Sequence, residues 1–81
     1  MSTLDDLASK LAEDTMKAMQ ETGNERLYVE VGDVLGAASQ SLEEAFLTEV
    51  RVRLAERSGR MFLIDKVKEA RAAKKAQKGP E

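Results

Sequence analysis

Ser41-Leu-Glu-Glu-Ala-Phe-Leu-Thr-Glu-Val-Arg-Val-Arg-Leu-Ala-Glu-Arg-Ser-Gly-Arg60 is the stretch whose reading decides the fold. Its head has the form of a capping box: the Ser41 hydroxyl is placed to accept from the Glu44 N–H, and the Glu44 carboxylate to reach back to Ser41. Gly59 is the residue type that closes a helix in the left-handed conformation. Neither Gly nor Pro interrupts the residues between. At the helical period, Phe46, Leu47, Val50 and Leu54 fall on one arc, and Leu42, Ala45 and Val52 on a second. A helix with two apolar arcs needs cover on two sides. The pattern predicts a central helix that packs against its own chain on one side and against a second copy or another protein on the other.

Outward from this helix, residues 4 to 21 carry the cleanest amphipathic pattern. Leu4, Leu7, Ala8, Leu11, Ala12, Thr15, Met16, Ala18 and Met19 share one side, and charged or polar residues share the other. Ser2 or Thr3 is placed to cap this helix. Asp5 and Asp6 sit at its N-terminus, where the helix dipole favours negative charge. Gly23-Asn24 ends it.

Residues 25 to 38 admit two readings. As a helix, Leu27, Tyr28, Val31, Val34, Leu35 and Ala38 form one arc; as a strand, Leu27, Val29 and Val31 alternate with Tyr28 and Glu30. The helical pattern spans more residues and is preferred, with Gly32 and Gly36 one turn apart. After Gly59, residues 61 to 76 read as a further helix with a narrow stripe of Leu63, Val67 and Ala70, or, in the alternative, Met61 to Ile64 as a strand beside 27–31. The expectation is an all-α bundle of about four helices over 3–22, 25–38, 42–57 and 61–76. The alternative is α+β, with short strands near 27–31 and 61–64. The core is expected from Leu7, Leu11, Leu27, Val31, Leu35, Phe46, Val50, Leu54, Leu63 and Val67. One helical domain over 1–70 is expected, followed by a basic, exposed and partly disordered end over 71–81.

Composition narrows function by exclusion. The 81 residues include no His and no Cys. Disulfides, thiol chemistry and the usual neutral-pH general base are therefore absent. Glu43–Glu44 and Asp5–Asp6 are adjacent pairs that point about 100° apart on a helix and so cannot act on one atom. Gly32 to Gly36 lacks the Lys and Ser/Thr of a phosphate-binding loop, and no calcium-binding run is present. The expectation is a protein without enzymatic activity, cofactor, metal site or small-molecule substrate. Gly36 to Leu42 resembles the carrier-protein serine motif, but Gln40 stands where that family has Asp, and Ser41 is read as a helix cap. No apolar run approaches the roughly 20 residues of a membrane span, and the acidic N-terminus lacks the pattern of a signal peptide. A cytoplasmic protein is expected.

Charge is divided unevenly. Through Glu49 there are eleven acids against three bases, a net −8; after it, ten bases against four acids, a net +6, consistent with −2 overall. Such asymmetry points to halves that attract each other, within or between chains, or to an anionic partner. The expected role is a protein–protein interaction or self-assembling module, with Leu42, Ala45, Val52, Met16 and Met19 as its candidate interface. The alternative is a small nucleic-acid-binding regulator. Its candidate anion contacts are Arg53, Arg57, Arg60, Lys68, Arg71, Lys74, Lys75 and Lys78.

Overall fold

A computed structural model describes residues 2–78, and the described residues form three helices, not four: α1 (Thr3–Thr22), α2 (Leu27–Ala38) and α3 (Gln40–Lys78). No strand occurs among the described residues, so 27–31 and 61–64 are both helical and the α+β alternative falls away.

Local chemistry accounts for each boundary. The Ser2 hydroxyl accepts from the Asp5 N–H at 3.1 Å and caps α1. Gly23, at φ 72°, ends it by donating its N–H to the Met19 carbonyl. A side chain at Gly23 would be strained by that positive φ. Asn24 then shapes the turn: its Oδ1 accepts from the Arg26 N–H at 3.1 Å and its Nδ2 donates to Glu30. The second helix accordingly starts at Leu27 rather than at 25.

Ser39 alone separates α2 from α3. Its N–H ends α2 on the Leu35 carbonyl at 2.7 Å, and its hydroxyl caps α3 by accepting from the Leu42 N–H at 3.1 Å. Ser41, expected as that cap, lies inside the first turn of α3. The one-residue joint folds α2 back along α3. Gly36 comes against Glu43, and Gly32 comes so close to Leu47 that a Cβ there would stand 3.1 Å from a Leu47 methyl.

The largest correction is at Gly59, which does not end a helix. Its φ is not positive, and a Cβ on it would meet nothing within 4 Å. One glycine lowers helix stability by about 1 kcal/mol relative to Ala. Stopping there would instead leave the carbonyls of the last turn and the N–H groups of a new first turn unsatisfied. Only tertiary packing could reward such a break, and beyond Gly59 the apolar stripe is narrow and then shrinks to alanines. The helix therefore runs on to Lys78, into the segment expected as a partly disordered end; 79–81 lie outside the described residues.

The core is smaller than expected and built from smaller residues. Ala8, Ala12, Met16 and Met19 of α1 close over Phe46 and Val50 of α3, with Thr15 buried among them. Leu11, Leu27, Tyr28, Val31, Leu35, Leu42, Ala45, Leu47 and Leu54 pack partly against this cluster. Three residues expected inside are outside: Leu7 is 56 % exposed, Leu63 59 % and Val67 40 %. Beyond Leu54, every described residue through Gln77 is exposed. The molecule is thus a three-helix body with a long helical arm. Its radius of gyration is 18.8 Å and its longest extent 67 Å, where a compact chain of this length would have a radius of about 12 Å.

Replacing the two phenylalanines tests this division. Phe46→Ala removes a fully buried ring and is expected to cost about 3–5 kcal/mol, a large part of the stability of so small a body. Phe62→Ala, on the arm, is expected to leave the unfolding free energy measured in urea within about 0.5 kcal/mol of the parent. Equal effects would contradict an uncovered arm.

Candidate interaction arm

The arm is built by continuation. The helical phase that turns Phe46, Val50 and Leu54 inward continues past the body, but α1 and α2 do not extend along it. At about 1.5 Å per residue, residues 55–77 form roughly 35 Å of helix without intramolecular cover. On it stand Met61, Phe62, Leu63, Ile64 and Val67, five of the nine large apolar residues left exposed. The others are Leu4 and Leu7 on α1, Val34 on α2 and Val52 on α3.

An open groove of about 710 Å³ lies at the root of the arm, between Glu13, Met16 and Lys17 of α1 and Val52, Glu56, Arg57 and Arg60 of α3. Arg53 forms one wall. Its Nη1 donates to Glu49 Oε1 at 2.7 Å and to the Glu49 carbonyl at 2.9 Å, and its Nη2 donates to Ser9 Oγ at 3.0 Å. This guanidinium is a structural tie between α1 and α3. Elsewhere Arg60 pairs with Glu56 one turn earlier, Lys66 reaches Glu69 at 3.4 Å, and the Lys66 ammonium stands 5.5 Å from the centre of the Phe62 ring. On α1 the exposed Lys10 donates to Asp14 at 3.1 Å; that hydrogen bond, with the Asp14 and Glu13 charges, raises its pKa.

The residues expected as anion contacts therefore divide. Arg53 and Arg60 are engaged by carboxylates, whereas Arg57, Lys68, Arg71, Lys74 and Lys75 are exposed and make no ion pair among the described residues. Lys78 is the last residue of α3, and its side chain lies outside the described set.

The residues expected as a protein interface divide too. Met16 and Met19 are core, and Leu42 and Ala45 lie half-buried against it. Val52 alone stands out, 61 % exposed, beside the groove. The exposed apolar surface is instead on the arm, at residues the sequence pattern assigned partly to the core. The signal for it was length: a 12-residue α2 covers only part of a 39-residue partner. No three acidic side chains among the described residues come together as metal ligands would, and no described helix is long and apolar enough to cross a membrane.

Arg53→Ala is expected to lower stability by about 1 kcal/mol, the charged hydrogen bond being discounted for its partial exposure, and Ser9→Ala by less. Urea denaturation of both variants and of the double variant measures the coupling; strictly additive losses would show that the Ser9 contact contributes nothing. Comparison with protein-family models, with curated proteins and with solved structures finds no match to this chain.

Proposed function

We propose that this protein is a non-enzymatic interaction module in which a three-helix body anchors and presents the distal half of α3 to another protein chain. One observation carries the reading: the uninterrupted helix from Ala55 to Gln77 is exposed along its whole length and bears five large apolar side chains. Leu63, Ile64 and Val67 fall within about 100° of one another around this helix, and exposed apolar surface grouped in this way marks contact sites. A helix presenting apolar residues at i, i+4 and i+7, as Leu63, Val67 and Ala70 do, suits packing against a second helix or a groove. The opposite charges of body and arm favour self-association as the simplest form of such contact.

Light scattering of the full chain, at low and at high salt, is the direct measurement. Self-association is expected, and Leu63→Asp with Val67→Asp is expected to abolish it while the circular dichroism of the body persists. Association indifferent to that double substitution would remove the arm from the reading.

A specific observation supports a second reading. Arg57, Lys68, Arg71 and Lys75 share one stripe of the arm, roughly 27 Å from end to end, and none is held by a carboxylate among the described residues. Such a stripe suits a phosphate backbone. Binding to a labelled duplex at low salt would then fall with added salt, with a log–log slope of about −3 to −4 for four phosphate contacts. It would be lost in a chain lacking 71–81. No anisotropy change at low salt would eliminate this reading.

A further inference from the structure

The arm is self-complementary in one orientation and one register. Its exposed stripe alternates steps of four and three: Glu56, Arg60, Leu63, Val67, Ala70, Lys74, Gln77. That alternation is the spacing of a seam between two helices. We propose that the partner of the arm is the arm of a second copy of this chain, running antiparallel, with Leu63 against the partner copy's Val67. This deepens the reading of the arm as a protein-contact element and rests on it.

Charge selects the orientation. With Leu63 opposite Val67, the two-fold axis falls between them and each layer follows. Arg60 meets Ala70, and Glu56 meets Lys74, each of these layers occurring twice. The apolar pairs sit at the centre and opposite charges close the ends. A parallel pair in register would instead set Glu56 against Glu56, Arg60 against Arg60 and Lys74 against Lys74, three like-charged layers. Sliding the antiparallel pair by one heptad puts Leu63 opposite Lys74 in one direction and opposite Arg60 in the other. Only the first arrangement buries the large apolar residues against each other and pairs the charges.

The surfaces are also free to meet. Leu63, Val67, Ala70 and Lys74 are exposed, and Glu56 and Arg60 keep more than half their side-chain surface in water. The stripe of Arg57, Met61, Ile64, Lys68 and Arg71 is a poorer seam, because any antiparallel register that pairs Met61 with Ile64 brings Arg57 against Lys68.

Area bounds the kind of contact. In this register the uncovered arms overlap from residue 55 to residue 75, about 31 Å of helix, and burying half of a cylinder about 10 Å wide removes roughly 500 Å² from each copy. The total of roughly 1,000 Å² lies in the range of weak, transient interfaces. A contact of that size is expected to be weak, and the dimer to dissociate on dilution through the micromolar range.

Absence of native cysteine makes the test clean. Arg60→Cys and Ala70→Cys chains, full length, are mixed and mildly oxidised after light scattering has measured association. The expected result is a mixed disulfide between the two variants in clear excess over disulfides within either variant alone. Glu56→Lys is expected to weaken dimerisation about ten-fold, since two symmetry-related layers turn from attraction to repulsion. Adding Lys74→Glu to the same chain is expected to restore it. A chain that stays monomeric at high micromolar concentration and low salt overturns the second copy as occupant and leaves the arm to a different protein. Ala70→Cys disulfides forming as readily alone as in the mixture overturn the antiparallel register while self-association stands. Dimers unaffected by Leu63→Asp with Val67→Asp would instead overturn the underlying reading of the arm.

Discussion

Phe46 and Val50 are the largest side chains fully out of water, and the body depends on the surface that receives them. That surface is a run of small and flexible residues on α1: Ala8, Ala12, Met16 and Met19. Alanine at the contact lets the helix axes approach, and methionine fills the irregular space that remains. The glycines of α2 do the same on the other side of α3, where Gly32 rests against Leu47. Small residues on two helices thus receive large residues from the third. This asymmetry explains why leucines that look like core by periodicity are only half-buried: two short helices around one long one enclose a narrow wedge.

Length mismatch then produces the arm. Residue Ser39 turns the chain without a loop, so α2 must lie along the beginning of α3 and ends where its twelve residues end. The first helix is longer, yet its N-terminal turns leave Leu4 and Leu7 in water. Neither helix buries α3 past Leu54. The described residues beyond it are helical because their own composition favours it, and exposed because neither α1 nor α2 covers them.

Much of this was legible in the residues. The capped α1, its Gly23 terminus and the pairs Glu49–Arg53 and Glu56–Arg60 follow from local rules that act within one turn. The helix at 27–38 could be chosen over a strand because its apolar period extends across the whole segment. Gly59 was the misleading signal. A glycine preceded by a well-formed helix looks like a stop, but a stop requires something for the returning chain to pack against. That requirement is global and is written in no single residue. The same gap moved Leu63 and Val67 from the expected core to the surface and hid the arm. Conversely Met16 and Met19, expected as a candidate interface, are core because the small residues beside them bring α3 close.

The arm's apolar residues are not needed to keep it helical. Nucleation is the expensive step in helix formation, and the body has already taken it: the arm only extends a helix fixed by Phe46 and Val50. Propagation is favoured by residues such as Ala70, Ala72, Ala73, Lys74 and Lys75, and by the Glu56–Arg60 pair one turn apart. A sequence selected only to hold a soluble helix in water would carry polar residues at 61 to 64 and 67. It carries Met, Phe, Leu, Ile and Val there instead. Exposed apolar side chains on a helix that does not require them for its own stability contribute chiefly through contact with another surface. That is the physical ground for the proposal that the arm, rather than the body that holds it, makes the contact.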